Sequence, residues 1–219
     1  MNEYRIRNAI KDDLPFLAET VIAAEKGVSD KCNYSTLFNL SEKEVKGFII
    51  AMFEEEVEYC EFSLDSYFVT EYQGKPVAAL GSWIECFEGS MPSGILKSNL
   101  INYTFTKESI EFLKTKIHIV RDLIAERDPL SLQIEYLYVS ENHRGKGLAK
   151  GLLYKHEERA KLAYPALKKC QLQLFRNNIA IINLFGKFGY KIVKCYKSDN
   201  PDILNYLSSN EKCIMEKIF

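Results

Sequence analysis

The chain has 219 residues, of which 47% are hydrophobic and 27% charged, a composition typical of one soluble globular α/β domain with an elaboration. Its net charge of −1 provides no basic surface for a nucleic-acid backbone or an anionic membrane, so neither partner is expected. No apolar run approaches the roughly 20 residues that span a bilayer, and the N-terminal stretch has no apolar signal segment. Six scattered cysteines and three dispersed histidines predict reduced thiols, a cytoplasmic location and no metal site.

The first part of the chain predicts one strand followed by two helices. Residues 4–10 alternate in polarity, which is typical of a short strand. Asp12 or Asp13 is expected to cap the next helix, and Gly27 is expected to end it. The sequence Ser-Glu-Lys-Glu at 41–44 is a capping box that opens the second helix.

A strand hairpin is predicted next, with strands at 66–72 and 75–86 around the turn pair Gln73–Gly74. Just before the hairpin, residues 54–65 contain a cluster of carboxylates. Such a cluster would suit a cationic amine ligand, although a solvated helix end leaves the same pattern.

The segment 87–130 is longer than a link between two strands requires. Glycine and proline interrupt its beginning, and apolar residues at helical spacing predict one substantial helix over 107–128, with Thr106 as its N-cap. We interpret the segment as an insertion that covers or walls a binding site. A helix that only packs, or that forms a homodimer interface, would give the same pattern.

The chain is organised around an apolar strand at 132–139, a glycine-bearing loop and a following helix. The first N–H groups of a helix have no intrahelical partner and carry roughly half a positive charge. Gly145 and Gly147 let the backbone approach an anion closely, and Arg144 and Lys146 add cationic side chains. This stretch predicts a site for a phosphate-bearing cofactor.

Two other nucleotide-binding loops do not fit this stretch. The string G-x-x-x-x-G-K-[ST] of a P-loop is absent from the chain. A dinucleotide fingerprint would need glycine where Lys150 stands, and a carboxylate at the end of the next strand, where Arg176 and Asn177 stand instead.

The remaining elements are predicted from helix and strand signals. The helix after the loop is expected to reach Tyr164, and His156 on its apolar face is expected to be a packed core residue. A strand follows at 170–175. Asn178 is expected to cap a short helix that Gly189 stops, and the last two strands are expected at 190–197 and 212–219.

The sequence Arg144-x-x-Gly147-x-Ala149 resembles the acyl-CoA pyrophosphate loop of the GNAT superfamily of N-acetyltransferases, whose pattern is [Q/R]-x-x-G-x-[G/A]. The resemblance implies an α/β (α+β) fold, with a central mixed, mostly antiparallel twisted sheet of six to seven strands flanked by helices. We expect one such domain over 1–219, with the helical insertion at about 87–130 before the fourth strand. The cofactor-binding residues that it implies are Leu137, Tyr138, Val139, Arg144, Gly145, Lys146, Gly147, Leu148, Ala149, Asn178 and Phe185.

A second stretch, NIAIINLFGKFGY at 178–190, resembles the family signature N-x-x-A-x-x-L-Y-x-x-x-G-F. Phe185 stands where the family usually has a tyrosine that protonates the CoA thiolate. Three alternatives remain open: the thiolate leaves unassisted, another tyrosine (Tyr154, Tyr190 or Tyr196) supplies the proton, or the protein binds acyl-CoA without turnover. Of these tyrosines, Tyr190 is taken as the candidate catalytic residue.

The resemblance implies an acetyl transfer from acetyl-CoA, as co-substrate, to a primary amine of a small molecule or protein. A base must take a proton from the amine, and Glu135 is the candidate because a carboxylate in an apolar strand is partly desolvated. Strand periodicity places Glu135 on one face with Gln133, Leu137 and Val139. Backbone N–H groups of 137–139 are the expected oxyanion donors. A catalytically weak acyl-CoA sensor or regulatory protein is the alternative function.

Overall fold

The computed structural model describes residues 4–219, and its strands form one seven-stranded sheet. These strands are β1 Arg5–Asn8, β2 Tyr67–Tyr72, β3 Lys75–Ile84, β4 Leu132–Val139, β5 Lys169–Phe175, β6 Lys191–Lys197 and β7 Glu211–Ile218. Their order is β1-β2-β3-β4-β5-β7-β6. The β4–β5 pair is parallel and the other five pairs are antiparallel. The predicted fold class is confirmed.

Helices cover both faces of this sheet. Neighbouring strand residues point to opposite faces, so each face has apolar side chains on which helices pack. The helices are α1 Leu14–Lys26, α2 Asn33–Phe38, α3 Glu42–Glu54, α4 Ser93–Thr104, α5 Lys107–Val120, α6 Leu148–Ala163, α7 Ile179–Lys187 and α8 Ile203–Tyr206. Val69 joins the core under α1 to α3, whereas Phe68 joins the core under α6 and α7. Among the described helices, none combines the length and apolar character that a membrane crossing requires.

The two N-terminal helices begin in different ways. The predicted capping box of α3 is confirmed, since Ser41 Oγ accepts from the Glu44 N–H at 3.3 Å and Glu44 Oε2 accepts from the Ser41 N–H at 2.8 Å. Asp13 precedes α1 but its carboxylate does not cap it. Its oxygens instead accept from the Ile10 N–H and from the Arg7 guanidinium. Asp13 therefore occupies the predicted N-cap position of α1 but makes no capping hydrogen bond with its side chain.

The insertion contains two helices, α4 and α5, and not the single helix predicted over 107–128. Thr106 does cap α5, because its hydroxyl accepts from the Ser109 N–H. However, α5 ends at Val120, and Ile124 beyond it is 60% exposed. The start of α4 is fixed by the buried carboxylate of Glu85, which accepts from the N–H and the hydroxyl of Ser93 at 2.8 and 2.6 Å.

Two of the six cysteines form a disulfide, so the prediction that every cysteine is a reduced thiol was wrong. Cys195 of β6 and Cys213 of β7 lie directly opposite each other in the antiparallel register, with Cα atoms 4.1 Å apart, and form a disulfide. This pairing depends on strand register, which cysteine spacing alone does not reveal. The other four cysteines, Cys32, Cys60, Cys86 and Cys170, are free thiols.

His156 is a core residue, as predicted, and ties α6 to the sheet. Its Nε2 donates to the Leu80 carbonyl at 2.7 Å, and its Nδ1 therefore accepts from the Ser82 hydroxyl at 2.6 Å. The ring is fully buried. Burial, together with the nearby Arg159 charge, lowers the pKa of His156 to about 3.

This buried histidine predicts a loss of stability in acid. The unfolded histidine binds a proton below about pH 6.5, whereas the folded one does not until about pH 3. Its contribution is therefore complete above pH 6.5 and is lost as the pH falls, by up to about 1.4 kcal/mol per pH unit. Urea unfolding at pH 7.5 and at pH 5.0 measures how much the free energy of unfolding falls between the two pH values. This fall should be roughly 2 kcal/mol smaller for His156→Gln than for the wild type.

His118 provides the control, because its side chain is exposed. His118→Gln should lose as much stability between the two pH values as the wild type. Equal losses in the wild type and His156→Gln would contradict the assignment.

Candidate active site

A β-bulge interrupts β4 at the centre of the sheet. Ala79 of β3 pairs with Tyr138, but Gly81 pairs with Glu135, so two residues of β4 oppose one residue of β3. Tyr136, inside the bulge, has a φ of +57°, which is uncommon for an aromatic residue and is typical of functional sites. The bulge reverses the side-chain alternation of the strand from this point on.

This reversal corrects the predicted face of β4. Leu137 and Val139 pack into the α6 and α7 side of the core, whereas Tyr136 packs into the α1 to α3 side. Glu135 therefore does not share a face with Leu137 and Val139. It shares the α1 to α3 side with its neighbour Tyr136, and the two consecutive residues reach one cluster of charged groups, described below.

Gly81 makes the bulge possible, a role that no sequence pattern indicates. A Cβ at this position would lie 2.8 Å from Tyr67 Cζ and 2.9 Å from the Glu135 carbonyl oxygen. These distances are far shorter than normal van der Waals contacts, so a larger residue would push β3 away from β4. Glycine is required here because of close packing against the bulge.

Beyond the bulge, β4 separates from β5. The parallel pairing of these strands covers only Leu132, Gln133 and Ile134 on β4. Within residues 135–139, which include Leu137, the pairs with β3 are made by Glu135, Tyr138 and Val139, and none of the five residues pairs with β5 in the described part of the chain. Their other edge is free of strand pairing and can hydrogen-bond a ligand that enters between the two strands.

The glycine loop follows this open edge directly. Gly145 and Gly147 have φ values of +75° and +77°. Apart from the adjoining residues of the chain, no atom of the described residues lies within 4 Å of where their Cβ atoms would be. Gly147 is the residue before α6, so the N–H groups of Leu148 and Ala149 belong to the first turn of that helix. Positive φ and open space together form a cradle for an anion.

The side chains of the loop have separate roles. Arg144 Nε donates to the Val139 carbonyl at 3.1 Å, which joins the loop to the end of β4. Lys146 Nζ donates to the Tyr4 hydroxyl at 2.9 Å, at the rim of the cradle. Leu148 is buried in the core, so it can offer a ligand only its backbone.

Asn178 is the N-cap residue of α7 and Phe185 lies within that helix, which follows β5 in the chain. The Asn178 side chain accepts from the Ile181 N–H at 3.4 Å and caps α7, as predicted. A Cβ at Gly27, which ends α1, would lie 3.8 Å from Asn178 Nδ2, so the ends of the two helices meet. Phe185 is only 2% exposed, and its ring centroid lies 5.2 Å from that of Tyr190.

Tyr190 lies in the core and not at the open edge of β4. Its hydroxyl is 2.8 Å from Cys170 Sγ and 3.2 Å from Glu157 Oε1. Cys170 pairs with Leu132, at the end of β4 where the strands are still joined. Burial raises the pKa of Tyr190 far above its ordinary value. Both its position and its weak acidity oppose the role of proton donor predicted for it.

Glu135 forms an ion pair with Arg127, a residue of the insertion. Arg127 Nη2 lies 2.6 Å from Glu135 Oε1 and 3.3 Å from Glu61 Oε1. Burial alone would lower the pKa of Arg127, but the charges of Glu135 and Glu61 raise it above its ordinary value. The sequence did not predict this partner, because a single arginine after a helix carries no signal.

The carboxylates at 54–65 mostly form a solvated surface. Glu54, Glu55, Glu56 and Glu58 are exposed. Glu61 is the exception, since it is completely buried beside Arg127 and Lys97. The predicted alternative of a solvated run is therefore correct for most of the cluster, and one member faces the interior.

An opened sheet edge that leads into an anion cradle at a helix N-terminus can hold an extended ligand with a phosphate group at one end. Residues 34–190 match the model of the acetyltransferase (GNAT) family. The chain belongs to this family and is an N-acetyltransferase by fold and family. A search of curated protein sequences gives no match.

Solved structures with the same fold cover almost the whole chain. An N-acetyltransferase from Staphylococcus aureus Mu50 is 16% identical, with a TM-score of 0.65, over 97% of this chain and 99% of that chain. An agmatine N-acetyltransferase mutant is 12% identical, with a TM-score of 0.59, over 100% of both chains. A ribosomal-protein-alanine N-acetyltransferase from Brucella melitensis is 17% identical, with a TM-score of 0.53, over 98% and 99% of the two chains.

The close approach at Gly81 gives a test of the bulge. Gly81→Ala should lower the free energy of unfolding by about 2 kcal/mol or more, because its Cβ has no space. Gly47, exposed within α3 with nothing within 4 Å of the Cβ position, is the matched control. There, Gly47→Ala should raise stability by about 0.5–1 kcal/mol. Urea unfolding of both variants checks this, and equal effects would contradict the role of Gly81.

Proposed function

We propose that the protein transfers an acetyl group from acetyl-CoA to a primary amine of a small molecule or of a protein. The observation that supports this most is the continuity of the open β4 edge with the glycine cradle. Residues 135–139 lack a strand partner on one side, and the loop at 144–147 begins a few residues later. These two features, in this order, suit an extended cofactor arm with a pyrophosphate at one end.

In this proposal the pyrophosphate binds the cradle. Gly145 and Gly147 admit it, the N–H groups of Leu148 and Ala149 donate to it, and Arg144 and Lys146 balance its charge. The pantetheine arm lies along Leu137, Tyr138 and Val139 and hydrogen-bonds their backbone. Asn178, which caps α7 after β5, is proposed to contact the arm with its side chain.

A block of the cradle tests the cofactor assignment. Gly147→Glu places a carboxylate where the pyrophosphate is proposed to bind and strains a positive φ. We expect calorimetric titration with acetyl-CoA to show micromolar binding to the wild type and at least roughly a hundredfold weaker binding to Gly147→Glu.

The control for this block carries the same backbone strain in another place. Gly89 also has a positive φ, +79°, and open space at the Cβ position. Gly89→Glu should therefore bind acetyl-CoA as the wild type does. Failure of the wild-type protein to bind acetyl-CoA would remove the cofactor assignment and the mechanism that depends on it.

Glu135 is proposed as the general base. An alkylamine is mostly protonated at neutral pH, so it must lose a proton before its lone pair can attack the thioester carbonyl. Glu135 lies at the bulge, next to the opened edge, and its side chain is 13% exposed. Arg127 holds its carboxylate in one position. Backbone N–H groups of 137–139 are proposed to stabilise the oxyanion of the tetrahedral intermediate.

The proposed departure of the thiolate does not use a tyrosine. Phe185 has no proton to donate, and the Tyr190 hydroxyl is buried against Glu157 and Cys170. We propose that the CoA thiolate leaves unassisted, since a thiol is a much stronger acid than an amine. Because no tyrosine is proposed to protonate the thiolate, a second candidate function is that of an acyl-CoA-binding protein with little turnover.

Loss of the base should slow catalysis without loss of cofactor binding. Glu135→Gln should lower kcat by about a hundred- to ten-thousandfold, while the calorimetric Kd for acetyl-CoA stays the same. Glu111→Gln, at an exposed glutamate of the insertion, should leave both values unchanged. Turnover is measured as CoA release with a panel of amines. The panel includes agmatine, because one structure of similar fold is that of an agmatine N-acetyltransferase.

Two outcomes would change the proposal. A Glu135→Gln variant with the full wild-type rate would exclude Glu135 as the base. Tight acetyl-CoA binding without CoA release for any amine would favour the binding protein over the enzyme.

A further inference from the structure

The insertion places a lysine in a cage of aromatic rings and a carboxylate. Lys97 Nζ, from α4, lies 3.1 Å from Glu61 Oε1 and donates to the Tyr136 hydroxyl at 3.2 Å. Its nitrogen is 5.6, 5.8 and 5.9 Å from the ring centroids of Tyr34, Phe62 and Tyr136. We call Tyr34, Glu61, Phe62 and Tyr136 the ammonium cage. Aromatic faces around a carboxylate are the usual way in which proteins recognise an alkylammonium group.

The ammonium cage reaches the protein surface along the Lys97 side chain. Glu61 at its inner end is completely buried, but the Lys97 side chain is 25% exposed. The lysine stem therefore runs from the surface to the bottom of the cage. A lysine stem has several rotatable bonds, so rotation of this side chain is the movement that would empty the cage.

Lys97 does not satisfy all the hydrogen-bonding capacity of the cage. Glu61 Oε2 is buried and has no hydrogen-bond partner among residues 4–219, whereas Oε1 is shared by Lys97 and Arg127. A buried carboxylate oxygen without a donor is costly. A ligand ammonium, with three N–H donors free to turn, could reach both oxygens.

The ammonium cage adjoins the proposed catalytic base. Tyr136 follows Glu135 in the bulge, and Arg127 Nη2 contacts the carboxylates of both Glu61 and Glu135. The Tyr136 hydroxyl also donates to Glu25 Oε1 at 3.2 Å, which adds negative charge at the same end. A molecule with one end in the cage would therefore have its other end near Glu135.

The ammonium cage favours the protonated form of the Lys97 amine that it holds. Burial alone would lower the pKa of Lys97, but Tyr34, Glu61 and Glu135 together raise it well above its ordinary value. A protonated amine has no lone pair and cannot attack a thioester. The cage thus suits a cationic group that is held during the reaction, and not the amine that reacts.

We propose that the ammonium cage binds a second cationic group of the acceptor, so that the acceptor is an alkyl diamine, and that Lys97 occupies the cage until this acceptor displaces it. The inference deepens the proposed function and rests on it for the identity of the ligand as an acceptor. Lys97 then occupies the position of the acceptor's second ammonium group when no acceptor is bound.

Binding is tested first, without acetyl-CoA, by calorimetric titration with 1,5-diaminopentane. Lys97→Ala should bind the diamine at least roughly tenfold more tightly than the wild type, because it empties the cage. The gain should disappear in Lys97→Ala/Glu61→Gln. Lys114→Ala, at an exposed lysine of the same insertion, should match the wild type. If Lys97→Ala does not fold, the shorter, uncharged Lys97→Gln carries the same expectation.

Kinetics then test the link to catalysis. Lys97→Ala should lower KM for 1,5-diaminopentane about tenfold or more and keep kcat within about threefold. The KM for 5-amino-1-pentanol, in which a hydroxyl replaces one ammonium, should change by less than about threefold.

The two assays separate the two proposals. Equal binding by Lys97→Ala and the wild type, or a gain that survives Glu61→Gln, would overturn the ammonium subsite even if the enzyme is active. The expected binding pattern without turnover in any variant would support the subsite and remove the proposed acetyl transfer.

Discussion

One guanidinium group, that of Arg127, balances two carboxylates that the sheet and the preceding loop place in the interior. It lies 2.6 Å from Glu135 on β4 and 3.3 Å from the completely buried Glu61. Removal of one partner from such a buried cluster typically costs about 3–5 kcal/mol, because the remaining charge is left unpaired. The site at the bulge and the core beneath the insertion therefore depend on the same interaction.

Elements that depend on nearby residues could be predicted from the sequence. The capping box of α3, the hairpin turn at Gln73–Gly74 and the strand, loop and helix around Gly147 follow from local propensities and local hydrogen bonds. The anion cradle is a local feature as well, since two glycines with positive φ and a helix start lie within a few residues. This explains why the glycine loop and the helix start, which form the proposed cofactor side of the site, could be predicted.

The other side of the site depends on contacts between distant segments, and sequence reasoning missed it. The partner of Glu135 comes from the end of an irregular segment, and Lys97 comes from α4, a helix with little one-sided apolar pattern. The bulge reverses which face Leu137 occupies, and no residue type announces a bulge of this kind. The Cys195–Cys213 disulfide likewise depends on strand register. The buried position of the Tyr190 hydroxyl was not foreseen, because the position of a residue in a motif does not show where its side chain points.

The arrangement of the insertion has a consequence for how this protein can be altered. Segments that decorate a shared scaffold are often treated as modules to be trimmed or exchanged between relatives. Here Arg127 and Lys97 supply the counter-charges of carboxylates that belong to the scaffold. A shortened or grafted segment would leave a stranded negative charge unless Glu61 and Glu135 were replaced at the same time. The inserted segment and the carboxylates that it neutralises therefore have to be transferred together in a chimera.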